Sequence, residues 1–196
     1  ELLAHLELAQ VAILGTSRGG LNAMGLAMGA RERLLGVALN DIGPFIDPKG
    51  LDFIMDYLGR NPAAKTHAEA AAAMPYVFPE FEGVPDSRWM EESRKHYVQT
   101  DTGLKITYDP HLRDAVAATG AQAAPDLWPY FDAMAGMPLC CIRGANSNLF
   151  SDEALKEMQR RRPDMITSVV PGRGHIPFLD EPEAVAALQE WVGQLT

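Results

Sequence analysis

Val11-Ala12-Ile13-Leu14-Gly15-Thr16-Ser17-Arg18-Gly19-Gly20 is the stretch on which the reading of the whole chain turns. Its first five residues are a continuous apolar run, the habit of a strand buried on both faces in a parallel sheet beneath helices. Gly15-Thr16-Ser17-Arg18-Gly19 has the form G-x-S-x-G, and Leu21 to Leu35 continues as an Ala-, Leu- and Met-rich stretch with helical spacing. Between a strand and a helix this motif has a mechanical meaning. A sharp turn lifts the serine hydroxyl off the backbone and leaves the following N–H at a helix N-terminus, where it can face a developing oxyanion. Ser17 is thus a candidate nucleophile and the Arg18 N–H a candidate oxyanion donor. The competing reading of Ser17 is a helix N-cap in a glycine-rich turn.

Working outward, Leu35-Gly36-Val37-Ala38-Leu39 is a second buried-strand pattern ending at Asn40-Asp41-Ile42-Gly43-Pro44. Strand, helix, strand in this order implies a right-handed parallel unit. Upstream, Glu1 to Gln10 reads as an amphipathic helix that opens abruptly, with no capping residue before it. From Phe45 to Met137 the pattern changes to short helical pieces broken by Pro62, Pro75, Pro79, Pro85, Pro110, Pro125 and Pro129, with no clear strand pair. The alternation then resumes: a strand at Leu139 to Gly144, a helix near Asp152 to Arg161, a strand at Ile166 to Val170 and a last helix from Glu183 to Leu195. The expected class is α/β, a mostly parallel sheet flanked by helices, with core residues 1–44 and 138–196 interrupted by a helical insertion at 45–137.

Composition excludes other classes. With 196 residues, 47% hydrophobic and 22% charged, the chain can build a core without disulfides or a structural metal, which excludes collagen and disorder. Cys140 and Cys141 are adjacent within an apolar run and read as small core residues in a reducing compartment. No zinc constellation follows from them, and no metal or organic cofactor is called for. A net charge of −9 argues against a nucleic-acid surface. The one basic run, Arg160-Arg161-Arg162, follows a helical stretch and suits its C-terminal dipole. No apolar run reaches the ~20 residues of a membrane span, and Glu1 to Gln10 lacks the basic start and cleavage site of a signal peptide. The expected address is cytoplasmic.

A second chemical element is Pro171-Gly172-Arg173-Gly174-His175-Ile176-Pro177, a histidine in a Gly/Pro-rich loop between a strand and the last helix. Loops at strand ends carry catalytic groups disproportionately. His5, His67, His96 and His111 fall on helices or in the insertion, where packing or solvation suits them. His175, following a serine turn in chain order, is the candidate general base.

Taken together, the serine turn, the Asn40 to Pro44 stretch, the helical insertion, the Arg143-Gly144 strand end and the Gly174 to Pro177 loop resemble the α/β-hydrolase family from Val11 onward. The resemblance implies Ser17 as nucleophile, His175 as base, Arg18 as one oxyanion N–H and the insertion as a cap. Phe45, Trp128, Tyr130 and Phe131, near the junctions of the insertion, are candidates for an apolar substrate wall. In the family further strands precede the serine turn, and a loop among them gives the second oxyanion donor. The resemblance therefore implies that a preceding segment, or self-association, covers the exposed edge of the first strand. The family also places an aspartate after the Arg-Gly strand end, where this sequence has Asn148. An amide there can accept a hydrogen bond from the histidine but brings no charge. Asp152, in the next helix start, and Asp41, at the end of the strand following the serine helix, are alternative acids; Asn148 is retained as the acid position.

The leading functional expectation is a serine hydrolase of a small ester, lactone or related acyl compound, working through an acyl-enzyme on Ser17 with no cofactor. Its partner would be a small-molecule substrate, not a nucleic acid or a membrane. The alternative is a hydrolase-fold protein that binds a ligand without turnover, for which Asn148 would be the sign.

Overall fold

Strand β1 (Val11–Thr16) pairs in parallel with β2 (Leu34–Asn40), joined by helix α2 (Arg18–Ala30) and a short 3-10 turn at Arg31–Arg33. The computed structural model describes residues 1–120 and 125–195 and divides into two units, Glu1–Pro48 with Asp126–Thr196, and Lys49–Pro125.

In the first unit, β5 (Leu139–Gly144) and β6 (Ile166–Val170) extend the sheet to four parallel strands in the order β1-β2-β5-β6. The helices of this unit are α1 (Leu2–His5), α2, α7 (Trp128–Asp132), α8 (Asp152–Arg161) and α9 (Pro182–Val192). Alternation along the central strands divides the core. Ala38 of β2 sits beside Cys140 of β5, and these residues with Ile142 and Val170 pack against Ala184, Ala187 and Trp191 of α9. The intervening residues, Val37 and Leu39 beside Leu139 and Cys141, face the other way, with Leu39 against the start of α2. All of them are buried, as the middle strands of a sheet covered on both faces must be. The two cysteines are small apolar fillers. Burial pushes the Cys140 thiol up to about 12 and that of Cys141 well above its ordinary value.

Against expectation, β1 is not buried on both faces: Ala12 and Leu14 are exposed. The reason is its place in the order. Among the described residues β1 pairs with β2 along one side only.

The basic run at the end of α8 is taken up locally. Arg160 and Arg161 pair with Glu157, Arg161 also with Asp132, and the buried Arg162 donates to the Met134 and Met137 carbonyls and pairs with Asp164.

The second unit contains α3 (Pro48–Tyr57), α4 (His67–Val77), α5 (Asp86–His96) and α6 (Leu112–Gly120). Thr66 caps α4 by accepting from the Glu69 N–H at 3.2 Å, while Glu69 reaches back to the Lys65 N–H at 2.7 Å, a near relative of the reciprocal capping box. Its core is aromatic. Ala71, Met74 and Trp89 pack with Phe78, Phe81, Met90 and Tyr97. This unit also holds an antiparallel pair the sequence did not reveal, β3 (Tyr97–Thr100) with β4 (Gly103–Ile106). Each strand is four residues long, too short to show a period, and the turn relies on Gly103 at φ +132°.

Among the described residues, no helix is long and apolar enough to cross a membrane.

Candidate active site

The G-x-S-x-G stretch makes a sharp turn between β1 and α2. Ser17 has φ +49° and ψ −118°, a region an L residue enters at a cost of about 1–3 kcal/mol. The turn is over-determined by its neighbours. Ser17 N–H donates to the Asn40 carbonyl at 3.0 Å, and its own carbonyl accepts from Gly20 N–H at 2.9 Å. A side chain at Gly15 would place Cβ 2.6 Å from Gly20 N and 2.7 Å from the Gly19 carbonyl group, so the helix can fold back onto the strand only over a glycine. The motif's second glycine is not crowded in this way; nothing lies within 4 Å of a Cβ at Gly19.

Ser17 precedes α2 but its hydroxyl does not cap the helix. It lies instead 3.0 Å from His175 Nε2. Arg18 is the first helical residue, and no carbonyl one turn earlier is available to its N–H within the helix. That N–H sits at the positive end of a 13-residue helix.

The other nitrogen of the imidazole, Nδ1, is 2.7 Å from Asp41 Oδ2. This corrects the expectation that Asn148 would stand at the acid position. Both ring nitrogens of His175 are engaged, one by the serine hydroxyl and one by the Asp41 carboxylate. Asp41 follows β2 with φ +53°, and its N–H bonds the Ile142 carbonyl at 2.7 Å. Its carboxylate is fully buried and accepts two further hydrogen bonds, from Gly144 N–H at 2.7 Å and Ser147 Oγ at 2.5 Å. Three donors thus stand where burial has removed water from the carboxylate. The end of β5 and the loop after it supply donors to the Asp41 carboxylate. Asp152, the other alternative, faces away on α8 in an exposed pair with Lys156 at 2.6 Å.

Gly144 brings the histidine loop against β5. A Cβ there would lie 2.4 Å from the Gly174 carbonyl oxygen and 2.5 Å from that of Arg173. The Asn146 N–H donates to the same Arg173 oxygen at 2.9 Å. Asn40, also buried, donates through Nδ2 to the Pro177 carbonyl at 3.2 Å and to Thr16 Oγ1 at 3.3 Å. Ser147 carried no signal in the sequence, because its partner Asp41 lies 106 positions away along the chain.

The four proposed wall residues separate. Phe131 is fully buried within the first unit; Phe45 and Tyr130 are exposed. Phe45 and Trp128 line an open pocket of about 250 Å³ with Ser151, Glu153, Ala154 and Glu157. Arg161 covers the Trp128 ring at 4.3 Å from its centroid. Among the described residues, no group of three or more His, Cys, Asp or Glu side chains could hold a metal ion.

A hydroxyl, an imidazole and a buried carboxylate in line can pass the hydroxyl proton to the imidazole while the carboxylate stabilises the resulting cation. Comparison with known proteins bears on the fold that carries this line. Residues 1–188 match the model of the Alpha/beta hydrolase family. A 3-hydroxybutyrate-oligomer hydrolase from Cupriavidus necator is 33% identical over 193 residues, covering 94% of this chain and 66% of the relative. A 2-(acetamidomethylene)succinate hydrolase from Mesorhizobium japonicum is 25% identical over 174 residues, covering 89% and 60%. The crystal structure of an alpha/beta hydrolase from Novosphingobium aromaticivorans superposes with a TM-score of 0.88 at 32% identity, over 98% of this chain and 68% of that one. The chain therefore spans about two thirds of the length of these relatives.

Proposed function

The chain belongs to the alpha/beta hydrolase family, and from that premise we propose that it takes part in ester hydrolysis through an acyl-enzyme on Ser17. The observation that carries the reading is the continuous line Ser17 Oγ, His175, Asp41, at 3.0 and 2.7 Å. His175 Nε2 takes the hydroxyl proton as Ser17 Oγ attacks the acyl carbon. Asp41 holds Nδ1–H and stabilises the imidazolium. His175 then returns the proton to the leaving alcohol, and a water activated by the same nitrogen releases the acid. The Arg18 N–H is the oxyanion donor supplied by this chain.

For substrate we propose short-chain hydroxy esters, the class to which the 33% identical relative's oligomers belong. The reading without turnover rested on an amide at the acid position and on the missing second oxyanion loop; the carboxylate on His175 Nδ1 speaks against the first of these grounds. The test is mass spectrometry after exposure to a fluorophosphonate, together with hydrolysis of p-nitrophenyl butyrate and the linear dimer of 3-hydroxybutyrate. One adduct on Ser17, absent from Ser17→Ala, with turnover of both esters, is expected. No adduct and no turnover would refute the reading.

A further inference from the structure

The loop from Pro171 to Asp180 contains neither helix nor strand, yet the proposed base it carries must be held to about half an ångström to be effective. Its near end is fastened by the β5 backbone contacts already described. Its far end is held by a side chain with an unusual assignment. Glu181 is the N-cap residue of α9, a position that normally favours Ser, Thr, Asp or Asn because a short side chain there accepts from the first helical N–H groups. The Glu181 carboxylate accepts from none of them.

It turns back into the histidine loop instead. Oε1 accepts from Phe178 N–H at 3.1 Å and from Arg173 Nε at 2.7 Å, and Oε2 accepts from Leu179 N–H at 2.9 Å. Among the described residues Leu179 is one of four non-glycine residues with positive φ, at +72°, so the carboxylate holds a backbone conformation that would otherwise relax. Arg173 and Glu181 flank His175 on both sides and are eight positions apart. Their ion pair closes the loop into a ring. Glu181 is 7% exposed and the Arg173 side chain 18%, so the pair is poorly screened and strongly directional. The guanidinium also lies over the Phe178 ring, 5.2 Å from its centroid, and donates to the Gly172 carbonyl at 2.9 Å.

We propose that Glu181, through Arg173 and the Phe178 and Leu179 amides, is a positioning residue that sets the reach of His175 toward Ser17. The inference rests on the acyl-enzyme reading above. Glu181→Gln keeps an acceptor and the side-chain size but loses the charge, and in either orientation its NH2 faces a donor, Arg173 Nε–H and Phe178 N–H at one place or Leu179 N–H at the other. Arg173→Gln breaks the same pair from the other side. A misplacement of about 1 Å in a reacting group can cost on the order of 10²-fold.

The experiment is steady-state hydrolysis of p-nitrophenyl butyrate, and fluorophosphonate labelling of Ser17, in the wild type, both single variants and the double variant, at a temperature where circular dichroism shows each folded. Each single variant is expected to lose about tenfold or more in kcat with KM within about twofold, to label more slowly, and to be no worse when combined. A purely structural pair would lower the melting temperature and leave kcat per folded molecule unchanged. That result, additive losses in the double variant, or a loss confined to KM overturns the proposal. Should Glu181→Gln not fold, Arg173→Lys carries the test, since it keeps a cation but lacks the Nε–H. A wild-type protein inert to both reagents overturns the acyl-enzyme reading and the clamp with it. An active wild type with unchanged variants overturns the clamp alone.

Discussion

Replacing Asp41 by asparagine tests the assignment of the acid, and the structure fixes how the amide must sit. Oδ1 receives Gly144 N–H, while Oδ2 receives both Ser147 Oγ–H and His175 Nδ1–H. If the new NH2 took the place of Oδ1 it would face the Gly144 N–H, two buried donors without an acceptor, at a cost of about 1–3 kcal/mol. It therefore takes the place of Oδ2. There the Ser147 hydroxyl can rotate to accept, but His175 Nδ1 must give up its proton to do so. The imidazole is left with its hydrogen on Nε2, aimed at Ser17 and unable to act as base. The same exchange in serine proteases lowers turnover by roughly 10⁴-fold, about 5.4 kcal/mol in the barrier. The assay is kcat for p-nitrophenyl butyrate at neutral pH, with urea unfolding as the control for stability. Asp41→Asn is expected to fold normally and to lose three to four orders of magnitude in kcat. A variant within tenfold of the wild type would refute the assignment of Asp41 and return the loop after β5 to consideration.

Asn148→Asp is expected to leave kcat within about threefold, since both nitrogens of His175 already have partners; a gain of a hundredfold in the same assay would mean that the acid was misplaced. Ser147→Ala removes one hydrogen bond from a fully buried carboxylate, worth about 1.5–3 kcal/mol; kcat should fall by tenfold or more with little change in KM. Gly15→Ala would force a Cβ to within 2.6 Å of the Gly20 nitrogen, and overpacking of this kind costs about 1–3 kcal/mol, read as a lower urea midpoint at unchanged slope. Burial holds both thiols far above the ordinary cysteine range, Cys140 at about 12. The thiolate is the reactive form, so neither should react with Ellman's reagent at pH 8 in the native state, and both should react in urea.

The parallel framework was legible because its signals are local. Apolar runs of five or six residues, helical spacing between them and a glycine-framed serine all sit within a few tens of residues of one another, and the same holds for the histidine loop. The partner of His175 Nδ1 was legible only as an alternative to Asn148. Asp41 is chosen over a carboxylate on the loop after β5 because two donors from that loop, 103 and 106 positions away, converge on it, and no periodicity reports such convergence. The exposure of Leu14 is a related case: an apolar run shows that a strand can be buried, whereas what packs beside it determines whether it is. The β3–β4 pair fell below the length at which alternation is visible, and Phe131 is spent on packing although its aromatic character and position at a junction suggested a ligand wall.

The hydroxyl and the carboxylate of the site come from one uninterrupted strand-helix-strand segment, 24 positions apart, and the backbone of the first is fastened to the residue preceding the second. Their backbones are therefore tied within that segment, while Gly144 and Ser147 from β5 and its loop orient the carboxylate. Only the imidazole has to be delivered from a distance. Residues 145, 146, 148 and 149 are in consequence released from carrying charge for the reaction. The constraints that remain on that loop are those of packing and backbone: a hydroxyl at 147 on the Asp41 carboxylate, the 146 N–H on the Arg173 carbonyl, and the buried side chain of Leu149.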